Sequence, residues 1–125
     1  MVRNEIKVQN AVSVGPYSQG IDTGDLIFLS GQTPLDPGTG KLVDGGIREQ
    51  TEQGLKNLFN VLKAAGLNSD NVLKVNIYLT DMKDFPEVNA VYKDHFSEPY
   101  PARTTIGVAA LPLGARIEIE MIAKR

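Results

Sequence analysis

Residues 47–80 read IREQTEQGLKNLFNVLKAAG (47–66), LNSDN (67–71) and VLKVNIYLT (72–80), and a change of period within them decides the fold. In the first piece Ile47, Thr51, Leu55, Leu58, Phe59, Leu62 and Ala65 recur at helical spacing. Arg48, Glu49, Glu52, Gln53, Lys56, Asn57, Asn60 and Lys63 cover the opposite arc. Gly66 stands just past the last periodic residue, where a helix ends most easily. The spacing predicts a helix over 47–65. In the last piece the period falls to two: Leu73, Val75, Ile77 and Leu79 alternate with Lys74, Asn76, Tyr78 and Thr80. That alternation predicts a strand with one apolar face for the helix to cover.

Working outward, Asp84-Phe85-Pro86-Glu87 has the composition of a helix start, with Asp at the cap and Pro in the first turn. A second helix over 84–97 follows, with Val88, Val91, Tyr92, His95 and Phe96 as its apolar arc, and Pro99-Tyr100-Pro101 stops it. Two strands, 102–110 and 115–124, are joined by Leu111-Pro112-Leu113-Gly114. Toward the N-terminus, Glu5–Val8 alternates as an edge strand does, and Gly15-Pro16 makes 14–20 a loop. The apolar run Leu26–Leu29 follows the turn pair Gly24-Asp25, so Ile21 belongs to a hairpin partner. Residues 33–46, rich in Gly turns, read as an exposed loop. The order is β-β-β-α-β-α-β-β, one α+β domain over 1–125: a single six-stranded mixed sheet with two helices on one face. The other face, with Asn76, Tyr78, Thr105, Glu118 and Glu120 among its candidates, is mixed enough to meet either solvent or another subunit.

Composition narrows the chemistry. The 125 residues carry 13 Lys+Arg against 15 Asp+Glu, with charges of both signs interspersed, so there is no electrostatic reason to expect a nucleic-acid partner. With no Cys, disulfides and thiol catalysis are excluded, and one His cannot build a zinc site of the usual kind. The beginning, MVRNEIKVQN, has no apolar run of a signal peptide, and no stretch of ~18 apolar residues occurs. The expectation is a cytoplasmic protein without a membrane span or metal.

The candidate chemistry lies in the last two strands. Taken as an antiparallel hairpin, they set Thr105 opposite Glu120, Gly107 opposite Glu118 and Arg103 opposite Ile122. Arg103, Thr105, Gly107, Glu118 and Glu120 then project from one side, and Thr104, Ile106, Val108, Ile117, Ile119 and Met121 face the helices. An Arg fork beside two carboxylates suits recognition of a carboxylate and transfer of a proton; it equally suits a cross-strand ion pair on a wet surface. Tyr17, in Gly15-Pro16-Tyr17, reads as a loop anchor or a substrate clamp. Ser30 lacks the flanking pattern of a nucleophile elbow, and there is no second His to complete a triad. His95, on an apolar arc, reads as a hydrogen-bonded structural side chain. Asn89 lies off that arc, facing either solvent or a cleft.

These residues together resemble the YjgF/RidA family, the reactive-intermediate (2-iminobutanoate/2-iminopropanoate) deaminases. The resemblance rests on Gly15-Pro16-Tyr17-Ser18-Gln19, Ser30-Gly31-Gln32, the Gln50–Gly66 helix, Tyr100-Pro101-Ala102-Arg103, Val108-Ala109-Ala110-Leu111-Pro112 and Ile117-Glu118-Ile119-Glu120, and covers nearly the whole chain. It implies a chorismate-mutase-like fold assembled as a homotrimer, with three clefts between neighbouring subunits. It implies enamine and imine substrates of short 2-keto acids, such as 2-aminoacrylate, hydrolysed to the keto acid and ammonia without a cofactor. It assigns Arg103 to the substrate carboxylate and Glu118 to activation of water. Tyr17, Ser30, Gly31, Asn89 and Thr105 match positions lining the cleft. Two positions depart from many relatives: Thr105 stands where they have Cys, and Gly107 where they have Glu. The rival readings are a regulatory trimer that binds 2-keto acids without turnover, and an endoribonuclease or translation inhibitor.

Overall fold

The computed structural model describes residues 2–9, 11 and 13–125. Its elements follow the expected order: β1 (Asn4–Ile6), β2 (Gly20–Asp22), β3 (Leu26–Gln32), α1 (Ile47–Ala64), β4 (Val72–Leu79), α2 (Phe85–Lys93), β5 (Ala102–Gly107) and β6 (Ile117–Lys124). They form one six-stranded sheet in the order β1-β2-β3-β6-β4-β5. All pairings are antiparallel except β4 with β5, so the sheet is mixed.

Local chemistry explains the element ends. At the start of α1 the Glu49 carboxylate accepts a bond from the Gly46 N–H at 3.2 Å, satisfying one of the donors a helix start leaves open. At its end, Leu67 N–H donates to the Leu62 carbonyl at 2.8 Å and Gly66 N–H to Lys63 at 2.9 Å. Gly66 has φ +77°, the left-handed conformation that this closure demands. Asp84 precedes α2 as expected, but its carboxylate makes no cap bond. It is drawn instead to Arg116, whose Nη2 lies 2.7 and 2.9 Å from its two oxygens.

The core lies between the helices and one sheet face. Leu55, Leu58, Val61 and Leu62 of α1 and Val88 and Val91 of α2 meet Val75, Ile77, Leu79, Ile117 and Ile119, all buried. Gly54 of α1 faces the sheet beside Ile119, where a Cβ would make an ordinary 3.5 Å contact with Ile119 Cδ1.

Several local expectations are corrected. Leu73 does not join the apolar face of β4: the register shifts between Val72 and Lys74, Val72 turns inward and Leu73 is left exposed. Strand β1 ends at Ile6, with Val8 packing on the core rim. The 33–46 loop is not wholly exposed, since Leu35 is buried and bridges Leu42.

The largest correction concerns the last two strands. They do not pair with each other: β4 lies between them, parallel to β5 and antiparallel to β6. Residues 108–116 therefore cross the end of β4, a step of two strand spacings, about 10 Å. The crossing is fastened on both sides, by Val108 N–H to Leu79 O and by Thr80 N–H to Arg116 O. Faces along β6 are as alternation predicted, with Ile117, Ile119 and Met121 buried. Faces along β5 are the reverse of the expectation. Arg103 and Thr105 are level with the buried Val75 and Ile77, and so point toward the helices. Thr104 and Ile106, level with Asn76 and Tyr78, share the open face.

Candidate active site

Two clusters emerge, on opposite faces of the sheet. The first surrounds Arg103 on the edge strand β5. Its Nη2 donates to Asn89 Oδ1 at 2.7 Å, and its Cζ lies 4.7 Å from the Tyr92 ring centre and 5.7 Å from that of Phe85. Phe85, Asn89 and Tyr92 are spaced four and three residues apart, so one stripe of α2 faces this arginine. Among the described residues no Asp or Glu pairs with Arg103. The guanidinium is thus held in place without a carboxylate partner. Beside it, a cavity of about 500 Å³ is bounded by Tyr92, Lys93, Glu98, Tyr100, Pro101 and Arg103. Thr105, on the same face, has a buried hydroxyl with no hydrogen-bond partner.

The second cluster surrounds Glu118 on the open face. Its carboxylate packs directly over Gly31: a Cβ there would lie 3.0 Å from Glu118 Cδ. Burial, and then the neighbouring Glu120 charge, push the Glu118 carboxyl above the ordinary carboxylate range. Glu120 accepts from Asn76 Nδ2 at 3.1 Å and from the Tyr78 hydroxyl. That bond, with burial and the two carboxylate charges, pushes Tyr78 up to about 12. Ser30, next to Gly31, donates its hydroxyl to the Ser18 carbonyl at 2.6 Å, tying the 14–20 loop to β3. Tyr17 in that loop stands 41% exposed.

The residues expected to act together are therefore divided. Arg103, Asn89 and Thr105 lie on the helix side; Glu118, Gly31 and Ser30 lie on the open side. Gly107 does not stand beside Glu118; its missing side chain would point at Met82 Cγ, 3.2 Å away. His95 bonds the Glu52 carboxylate at 2.7 Å, linking α1 to the residues after α2, as its structural reading held. Sequence reasoning missed the part of Tyr92 and Phe85. Their spacing from Asn89 was a signal, but only the true face of Arg103 gives it meaning. Among the described residues no group of three or more His, Asp or Glu stands close enough to hold a metal ion.

A single mixed sheet under two helices, with an edge-strand arginine that pairs with no carboxylate among the described residues and a partly buried carboxylate on its open face, defines a small α+β domain. The model of the family described as endoribonuclease L-PSP matches residues 8–125. The chain belongs to this family, the YjgF/RidA family. A mouse protein named 2-iminobutanoate/2-iminopropanoate deaminase is 48% identical over 124 residues, 98% of this chain and 92% of the mouse chain. The crystal structure of RidA from the Antarctic bacterium Psychrobacter superposes with a TM-score of 0.94 at 41% identity, covering 98% of this chain and all of that one. That of E. coli TdcF with bound serine gives 0.91 at 38% identity, covering 98% of both chains.

Proposed function

We propose that this protein hydrolyses imines of short 2-imino acids, such as 2-iminopropanoate and 2-iminobutanoate, to 2-keto acids and ammonia. The observation that carries the reading is Arg103: a guanidinium oriented by Asn89 and an aromatic ring, with no carboxylate partner among the described residues. Such a fork suits two parallel bonds to a substrate carboxylate. The name of the mouse relative supports imine deamination, and the serine bound by TdcF supports a small carboxylate ligand.

In this mechanism Arg103 holds the carboxylate and Glu118 takes a proton from a water molecule as it attacks the carbon of the protonated imine. The resulting aminol carries an OH and an NH2 on one carbon. Glu118 returns the proton to nitrogen; as a carboxylate again it takes the hydroxyl proton while the C–N bond breaks, the C=O forms and ammonia departs. A carboxyl raised above its ordinary range by burial is a better base for this purpose than an exposed one. Tyr17, Ser30, Gly31, Asn89 and Thr105 line the cleft. Because Arg103 and Glu118 lie on opposite sheet faces, one substrate reaches both only across a subunit contact. We place the cleft between two copies of a homotrimer. Phe28 and Ile106, 44% and 46% exposed on the open face, supply apolar surface for that contact.

The test is a coupled assay in which a PLP-dependent threonine or serine dehydratase generates the imine and keto-acid appearance is followed. The expected result is acceleration by the protein. Arg103→Ala should abolish it, since losing a charged anchor costs ~2–5 kcal/mol, and Arg103→Lys should rescue poorly because an ammonium lacks the fork. Keto-acid binding without acceleration would make the protein a regulatory trimer. RNA cleavage that follows the pure protein and is lost in Arg103→Ala would make it a nuclease.

A further inference from the structure

We propose that Tyr92 is a positioning residue for Arg103: its ring face sets the plane of the guanidinium, so that with Asn89 holding one nitrogen the rest of the fork is presented to a carboxylate. The inference rests on the reading of Arg103 as the carboxylate anchor and adds a residue that reading does not contain.

The geometry is specific. The ring centre of Tyr92 lies 4.7 Å from Arg103 Cζ, a full ångström nearer than that of Phe85. A cation over an aromatic face at this distance is attracted by the ring quadrupole, more strongly where water is excluded. Tyr92 is 5% exposed, and its ring is itself held. It packs on Phe96 with centroids 4.6 Å apart, and Phe96 meets Phe59 of α1 edge-on at 5.8 Å. The chain Phe59–Phe96–Tyr92–Arg103 thus anchors a flexible cationic side chain on the core. An arginine already held in its binding orientation loses less entropy when a ligand arrives.

The hydroxyl gives a second, independent pointer. Among the described residues just two buried side-chain polar atoms lack a hydrogen-bond partner: Tyr92 Oη and Thr105 Oγ1. One belongs to the ring beneath Arg103. The other belongs to the residue two places along on the same face of β5. Buried polar atoms without partners mark strained or ligand-binding places, because such groups are costly to leave unpaired. Burial pushes the Tyr92 hydroxyl up, so the ring stays neutral at physiological pH. Among the described residues no group bonds that hydroxyl, and Tyr92 meets Arg103 through its ring.

Two variants separate the ring from the hydroxyl and from simple core filling. Tyr92→Phe keeps the ring; Tyr92→Leu keeps apolar bulk without a π-face. Each is made in the full chain and read by melting temperature, pyruvate titration, the KM and kcat for 2-iminopropanoate, and the NMR shifts of the Arg103 δ-methylene protons. In the wild type those protons should be displaced upfield by the ring current. Tyr92→Phe should retain that displacement, bind pyruvate and turn over within twofold of wild type, and melt no lower. Tyr92→Leu should lose the displacement, weaken pyruvate binding and raise KM about tenfold, between the worth of an exposed and of a fully desolvated cation–π contact, with kcat changed less than threefold. Wild-type affinity and KM in Tyr92→Leu would overturn the proposal, as would an Arg103 shift that ignores the ring. A tenfold loss in Tyr92→Phe would also overturn it, since the hydroxyl would then be the working part. If the wild type hydrolyses no imine but binds pyruvate, the deaminase reading fails while the titration and NMR arms still decide this one.

Discussion

At the scale of single residues, Gly31 and Glu118 make the sharpest pair. A Cβ at Gly31 would stand 3.0 Å from Glu118 Cδ, close enough that the carboxylate would have to give way. Gly31→Ala should displace that side chain by a few tenths of an ångström or more. Turnover should fall at least tenfold, since misplacing a reacting group is severe in its effect on rate, while the melting temperature changes little. Glu118→Gln should remove turnover and spare pyruvate binding, because an amide holds water without accepting its proton. The pH dependence has a definite sign. Glu118 acts as a base only when deprotonated, and its carboxyl sits above the ordinary range. Activity should therefore be lost as pH falls, starting at a higher pH than an exposed Glu would require. Stability runs the other way. A carboxyl raised in the folded state contributes most when protonated, and that contribution fades as pH rises through its folded value. At neutral pH Glu118→Gln should accordingly melt no lower than the wild type. A variant that melts far below it would mark Glu118 as structural.

At the scale of elements, the 108–116 crossing holds the two halves of the site in their relation. Arg116 closes it: its side chain reaches Asp84 at 2.7 Å, and its backbone N–H donates to Gln50 Oε1 at 2.9 Å. Asp84 is 8% exposed while the Arg116 side chain is 43% exposed, so this ion pair ties the entrance of α2 to the start of β6 with its carboxylate, though not its guanidinium, withdrawn from bulk water. Arg116→Leu should cost about 2 kcal/mol, the worth of charged hydrogen bonds whose acceptor is left buried, read as a lower denaturant midpoint at unchanged slope. Arg116→Lys should recover part of it. A loss below ~0.5 kcal/mol would show that the pair behaves as an exposed one.

At the scale of the whole molecule, the open face is the candidate for the proposed subunit contact. It carries Phe28 and Ile106, partly exposed, beside the Asn76–Tyr78–Glu120 hydrogen-bond network. Subunit contacts combine exposed apolar side chains with satisfied hydrogen bonds, and this face offers both. Sedimentation should give a trimer at micromolar concentration. Ile106→Glu should yield smaller species with no deaminase activity, although the helix-side core is untouched. A monomer that hydrolyses imines at full rate would refute the intersubunit cleft.

The sequence by itself determined the elements. Helix 47–65, the strand from 72 and the faces of β6 follow from period and from end residues such as Gly66, and these are local matters of sterics and burial. It also offered the candidates for the site, because motifs such as Tyr100-Pro101-Ala102-Arg103 and Ile117-Glu118-Ile119-Glu120 can be read without a fold. What it left undetermined was which strands touch. Leu111–Gly114 has the composition of a hairpin loop, yet β4, some thirty residues earlier in the chain, takes the place between β5 and β6. Strand pairing is a long-range choice made by the packing of the whole sheet, and a change of neighbour moves a strand's residues to the other face without altering a single local preference. For that reason the tertiary structure alone decided that Arg103 looks toward Asn89 and Tyr92 and that Glu118 looks away over Gly31.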